Sequence, residues 1–268
     1  MDEAGFRHAG EGAETRECEG ESMPQNIYDD PEFFAGYSQL RRSREGLAGA
    51  PEWPALRSML PPLEGARVLD LGCGFGAFAR WVRAMGAASV LGIDRSENML
   101  ARAHAQTQDP GVTYVLADIE HLVLPEAAFD LVYSALTLHY IADFEAVCVM
   151  IRRLLVPGGH LVFSVEHPLF TAPRNPGWRT ETDGAKVWPI NAYLLEGRRV
   201  TEWITPGVVK YHRTIASYVN SLLAQGFQLV RLEEWGPTQE QIAAHPEWAD
   251  EVHRPPFLLL AARLEDVP

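Results

Sequence analysis

The chain is poor in three things: cysteine, positive charge and long apolar runs. Its three cysteines, Cys18, Cys73 and Cys148, have neither the paired spacing of a metal site nor the number for a disulfide framework. No metal is therefore expected. No run of about 18 apolar residues is present to cross a bilayer, and no secretory leader is read at the start. A cytoplasmic protein is the expectation. Lys and Arg total 23 against 36 acids, a formal net charge of -13. Nucleic-acid affinity rests on bases that displace counterions, so a nucleic-acid partner is not expected.

Acid is concentrated at the start. The first 22 residues carry Asp2, Glu3, Glu11, Glu14, Glu17, Glu19 and Glu21 against Arg7 and Arg16, with almost no apolar side chains. Such a stretch cannot bury enough surface to order itself, and a disordered acidic tail over 1–22 is expected. The remainder, 23–268, reads as one domain, and a hydrophobic content of 47% allows a sizeable core.

What is present centres on Val68-Leu69-Asp70-Leu71-Gly72-Cys73-Gly74-Phe75-Gly76. Val68, Leu69 and Leu71 suit a strand buried on both faces. Gly72, Gly74 and Gly76 follow, where a backbone must turn tightly and let a ligand approach, with Cys73 between them. A helical stretch opens at Ala77. Strand, glycine turn and helix start form the ligand-binding end of an open α/β sheet. From residue 67 strands and helices alternate: strands at 67–71, 89–93, 112–116, 129–134 and 160–166, helices at 77–85, 96–106 and 143–155. That rhythm predicts a doubly wound, mostly parallel sheet with helices on both faces. A helix at 215–225, a strand at 227–234, a helix within 238–251 and a strand at 257–263 close the chain.

Asp70 discriminates between nucleotides. A pyrophosphate on this turn would meet a carboxylate at the strand's carboxyl end, whereas an ammonium or a sulfonium would be held by it. Two unlike charges about 4 Å apart interact by roughly 4 kcal/mol at an effective dielectric of 20, before desolvation. The sign favours S-adenosylmethionine over NAD, although Gly72 to Ala77 also fits a loose G-x-G-x-x-A pattern. Asp94, ending the second strand, suits the two hydroxyls of an adenosine ribose in either case. Ser96 is the expected N-cap of the next helix, and Met99 on that helix can lie against an adenine or pack in the core.

At these residues the chain resembles the class I, Rossmann-like, S-adenosylmethionine-dependent methyltransferases, which have a seven-stranded sheet. The likeness rests on the 68–76 motif, on Gly92-Ile93-Asp94, on Ala117-Asp118-Ile119 and on Leu154-Leu155-Val156-Pro157-Gly158-Gly159. It covers roughly 65–167, and is nearest to the group acting on quinone precursors and other small molecules. The resemblance implies that Asp118 accepts from the adenine amino group and that the Ile119 N–H meets a ring nitrogen. Ser134 and Ala135, ending the fourth strand, would lie beside the methionine part. It also implies that 23–64 forms a helical lid, in which Tyr28, Tyr37, Arg41 and Arg42 are the polar candidates.

For chemistry, His139 beyond the fourth strand is the first candidate base. Glu166 and His167, ending the fifth strand, can act as a base or hold the acceptor. Neither an Asn-Pro-Pro-Tyr motif nor a catalytic cysteine follows the fourth strand, which favours a small-molecule acceptor methylated at O, N or C. Residues 168–212 contain Pro168, Pro173, Pro176, Pro189 and Pro206 with three tryptophans. This insertion after strand five reads as a cap, with a hairpin turning at Thr205-Pro206-Gly207. Tyr211, His212 and Arg213 at its end are further pocket candidates. Two other readings of the same residues are an NAD-dependent oxidoreductase, disfavoured by Asp70 and by the lack of a Tyr-x-x-x-Lys donor, and a non-catalytic adenosine-binding interaction module. The oligomeric state is not read.

Overall fold

The computed structural model describes residues 25–265. The expected disordered tail over 1–22 and the first two residues of the expected lid lie outside them.

The entry segment is helical. Helix α1 (Pro31–Ser38) starts with Pro31 in its first turn, and the Asp30 side chain accepts from the Phe33 N–H. α2 (Arg41–Glu45) and α3 (Trp53–Arg57) follow. Then strand and helix alternate as the sequence predicts: β1 (Arg67–Leu71), α4 (Ala77–Ala84), β2 (Ser89–Asp94), α5 (Glu97–Gln106), β3 (Val112–Leu116), β4 (Phe129–Ala135), α6 (Phe144–Leu154) and β5 (Leu155–Glu166). Ser96 caps α5 by accepting from the Met99 N–H, and Asp143 caps α6 in the same way. β5 begins five residues before the expected 160, because Leu155 already pairs with Phe129 of β4.

The insertion holds a one-turn α7 (Pro168–Thr171), a short pair β6 (Arg179–Thr180) and β7 (Lys186–Val187), and a hairpin of β8 (Gly197–Trp203) and β9 (Thr205–His212). Its tip is Ile204, at φ +62°, rather than Thr205-Pro206-Gly207. Trp203 pairs with Thr205 and Thr201 with Val208, so Pro206 and Gly207 make a bulge opposite Glu202. A bulge is where a strand tolerates a residue without an N–H. The chain ends with α8 (Ile215–Ala224), β10 (Phe227–Trp235), α9 (Gln239–Ala244) and β11 (Phe257–Leu264). The helix expected within 238–251 divides at Pro246, after which 246–253 is a 3-10 helix.

The seven-stranded sheet has the order β10-β11-β5-β4-β1-β2-β3. β1 to β5 run parallel, and β11 runs antiparallel to both of its neighbours. In its register Phe257 sits opposite Glu166, at the carboxyl end of β5. The strand period of two splits the core. Leu69 and Leu71 join Ile93, Val132 and Phe163 on one face, under α6 and α8. Val68 joins Val90, Leu131 and Tyr133 on the other, under α4 and the entry helices. Asp70 shares the parity of Val68, so a carboxyl is carried into that second layer.

Candidate active site

A cavity of about 1090 Å³ opens across the carboxyl ends of the parallel strands. The strand order reverses between β1 and β4, and this is where open α/β sheets bind ligands. Glycines shape one wall. A Cβ on Gly72, at φ +74°, would lie 2.1 Å from Thr137 Oγ1, so the turn after β1 and the segment after β4 touch only because that side chain is missing. A Cβ on Gly74 would meet nothing within 4 Å, and Gly74 lines the cavity.

Asp94 ends β2 at the cavity wall. The Gly74 N–H donates to its Oδ2 (2.9 Å) and the Ser96 N–H to its Oδ1 (3.0 Å). Burial pushes this carboxyl up, and the N–H bonds hold it back. Asp118 and Ile119 follow along the same wall. Asp118 Oδ1 accepts from the Glu120 N–H, and Oδ2 lies 3.7 Å from Arg95. Met99 closes this end from α5. Above it, Asp29 of the entry segment accepts from Ser96 Oγ (2.5 Å) and from the Glu97 and Asn98 N–H groups, tying that segment to the start of α5.

Four expected cofactor residues do not line this cavity. Ser96 Oγ is committed to Asp29 and to capping α5. Ser134 Oγ donates to the Leu71 carbonyl (2.8 Å), which locks β4 to β1; its neighbour Ala135 is the one that reaches the cavity. Cys73 and Asp70 border a smaller recess of about 120 Å³ behind the glycine turn, with Arg42, Glu52 and Tyr133. Burial pushes the Cys73 thiol far up, so it is no nucleophile.

Asp70 corrects the electrostatic expectation. It is 2% exposed, and its Oδ2 has no hydrogen-bond partner among the described residues. Burial, and after it the charge of Asp94, pushes its pKa up to about 8. The carboxyl therefore carries a proton at neutral pH and does not stand as a charge at the mouth of the turn. A cation entering the recess would restore the ionised form. An unpartnered buried oxygen is a vacancy for a donor, and it suits the ammonium of a methionine moiety. The fixed Asp94 carboxylate and the open space at Gly74 suit the rest of S-adenosylmethionine equally well.

The opposite wall is made by the entry segment and the insertion. Tyr28 OH donates to Tyr140 OH (3.3 Å), and the Tyr28 ring packs edge-on against Tyr37 (5.1 Å). Trp203 of β8 meets Tyr37 edge-on at 6.1 Å. Burial raises all three phenols, so they remain neutral donors. Gln25 spans entry segment and hairpin: its Nε2 donates to the Gly207 carbonyl and its Oε1 accepts from the Val209 N–H, both at 2.9 Å.

Among the expected catalytic residues, His139 and Glu166 line the cavity and His167 does not. His167 is fully buried; its Nδ1 accepts from the Leu169 N–H, capping α7, and its Nε2 lies 2.9 Å from Glu234. His139 is buried and stays neutral. Burial lowers its pKa well below the usual value, and the cations Lys210, Arg213 and Arg42 reinforce this. The Glu166 N–H donates to its Nδ1 (3.4 Å). A neutral ring accepting at Nδ1 carries its proton on Nε2, so His139 presents a donor rather than the expected base. Glu166 Oε1 pairs with Lys210 Nζ at 2.5 Å, and Oε2 has no hydrogen-bond partner among the described residues. Lys210 is 2% exposed and lies 4.8 Å from the Trp203 ring centre.

Lys210 and Tyr140 were not singled out from the sequence. Lys210 had a signal: Val208, Lys210 and His212 occupy the inward positions of an alternating strand. The three candidates at the end of the insertion separate. Tyr211 lines the cavity. His212 is structural, between Thr171 Oγ1 and the Tyr193 carbonyl, each at 2.8 Å. Arg213 donates to the Ile141 and Ala142 carbonyls, fixing the loop after His139.

Comparison with known proteins bears on the same region. A family model described as a methyltransferase domain matches residues 69–163. An S-adenosylmethionine-dependent methyltransferase from Mesorhizobium loti, known as a crystal structure, is 52% identical, with a TM-score of 0.79 over 81% of this chain and 100% of that one. A protein of Haemophilus influenzae without an assigned function is 36% identical over 251 residues, 89% of this chain and 96% of its own length. The trans-aconitate 2-methyltransferase of Deinococcus radiodurans is 36% identical over 137 residues, 48% of this chain and 51% of its own. The chain thus spans about half the length of that functionally named relative.

Proposed function

The chain belongs to the S-adenosylmethionine-dependent methyltransferases, and on that premise we propose that it methylates a small-molecule acceptor bound between the entry helices and the insertion. The observation that carries this reading is the two-walled cavity. Its sheet-edge wall has glycines, Asp94, Asp118 and Ile119; its other wall has aromatic rings and a few polar groups. A space of about 1090 Å³ exceeds one cofactor's need and leaves room for an acceptor of metabolite size. Half-aligned relatives such as the trans-aconitate enzyme support a small acceptor.

Asp94 would hold the ribose hydroxyls, with Asp118 and Ile119 at the adenine and Asp70 at the amino group behind the turn. When bound, S-adenosylmethionine supplies a methyl group activated by its sulfonium. The protein's own part is mainly alignment, which can contribute roughly 7–11 kcal/mol. Residues 25–64 act as a lid and 168–212 as a cap, and together they keep water from the reacting atoms. Glu166, steadied by Lys210, is the group able to take a proton from an acceptor, while His139 Nε2 orients the acceptor as a donor. A positioned base adds about 10²–10⁴-fold where the acceptor must lose a proton.

Calorimetry with S-adenosylhomocysteine, S-adenosylmethionine and NADH tests the cofactor assignment; tight NADH binding without response to the other two would end it. A methyl-transfer screen with radiolabelled donor against a metabolite extract tests the acceptor, and product only on protein or nucleic acid would reject a small molecule.

A further inference from the structure

Arg254 is a buried charged group that the cofactor and the proposed chemistry leave unused. It precedes Pro255-Pro256 and the start of β11, and it lines the cavity. Its side chain is 3% exposed. Its guanidinium lies 4.1 Å from the Trp188 ring centre and 4.4 Å from that of Phe170, both rings belonging to the insertion. Nη2 donates to Glu251. Nε and Nη1 have no hydrogen-bond partner among the described residues.

A buried guanidinium with unmade bonds is a costly arrangement unless something completes it. Aromatic faces attract the cation but cannot accept its N–H bonds, which point outward along the guanidinium plane. What completes such an edge is an anion, and the best match is a carboxylate. Glu251 supplies one partner, at Nη2 alone. Phe257, three residues on, is paired with Glu166, so Arg254 stands on the same edge of the sheet as the proposed base.

We propose that Arg254, set against the Trp188 and Phe170 rings, anchors a carboxylate of the methyl acceptor and so selects anionic acceptors. This rests on the methyltransferase reading and adds the acceptor's charge class. The carboxylate enters beside Glu251, accepts from one of the N–H groups left open, and presents the rest of the acceptor to His139 and Glu166.

The test is a ligand-observed NMR titration of the full chain saturated with S-adenosylhomocysteine. The probes are matched pairs: benzoate with benzamide, 4-hydroxybenzoate with 4-hydroxybenzamide, and succinate with succinamide. At least one carboxylate is expected to bind ten-fold or more tightly than its amide. Arg254→Met removes that preference and Arg254→Lys keeps part of it, while affinity for S-adenosylhomocysteine is unchanged in both. A merely structural role for Arg254 would lower the melting temperature without moving the carboxylate-to-amide ratio. Equal binding of acid and amide by the unaltered chain, no binding of any carboxylate, or an intact preference in Arg254→Met overturns the proposal. Should Arg254→Met not fold, the unaltered chain and Arg254→Lys still decide it. Failure to bind S-adenosylhomocysteine in the first place would instead count against the cofactor assignment.

Discussion

The two walls of the cavity are built differently. Along the sheet edge, two acids, Asp94 and Asp118, are delivered by a strand end or a residue just after one, with Asp70 in the recess behind the glycine turn, and much of the surface is backbone. Across from it, Arg254 lines the cavity while Lys210 and Arg213 hold residues that do, all three buried at 9% exposure or less, although the chain as a whole is strongly acidic. The first wall comes from residues within about fifty positions of one another. The second joins positions far apart, as in Gln25 with Val209 or Tyr28 with Tyr140. A local wall is read from motifs. A composite wall exists only once the chain is folded.

The largest effect expected from this contrast is on stability. A carboxyl near 8 in the folded chain and about 3.9 unfolded favours the protonated fold. Because the folded state then binds more protons, stability falls as pH rises from about 4 to 8, by up to about 5 kcal/mol. Asp70→Asn removes that loss. Its melting temperature should match the unaltered chain near pH 4 and exceed it by several degrees at pH 8, measured without ligand. Equal melting at both pH values would show that Asp70 is ionised in the empty site.

Next in size is Asp94→Ala. It should weaken S-adenosylhomocysteine binding on the order of 10–100-fold by calorimetry, since charge-assisted hydrogen bonds contribute about 1.5–3 kcal/mol. Unchanged affinity would remove the ribose assignment. On the acceptor wall, His139→Leu is expected to lower turnover about ten-fold, while His139→Gln, which keeps a donor, retains most of it. If Gln fails as badly as Leu, the donor assignment for His139 is wrong. The smallest effect is expected from Gln25→Ala. Losing two exposed hydrogen bonds between entry segment and hairpin should raise KM for the acceptor two- to three-fold without shifting the melting temperature, as read by steady-state kinetics and thermal melts.

How much could be read beforehand follows the same division. The bounds of β1 to β4 fell within a residue or two of expectation, because runs of strand-forming residues and caps such as Ser96 and Asp143 are local signals. Asp94, Asp118, Gly72 and Gly74 reached the cavity because their motif positions fix them at strand ends. The protonation of Asp70 was not legible: it depends on how completely the entry helices cover the second layer of the core. Ser134 and His167 sat at the right positions in the chain, but strand parity and a cap turned them inward. Lys210 and Arg254 lie in or beyond a proline-rich insertion whose hairpin shows in a local pattern but whose docking against the cavity does not.

The reversed direction of β11 has a consequence for how this enzyme can change. A parallel strand offers the catalytic edge only the segment that leaves it. Here Trp235 closes β10 and Phe257 opens β11 at that same edge, paired with one another, so the whole of 236–256 both departs from it and comes back to it. That arm can lengthen, shorten or exchange its residues while β1 to β4 remain untouched. Divergence in what is methylated should therefore gather in this arm rather than in the sheet.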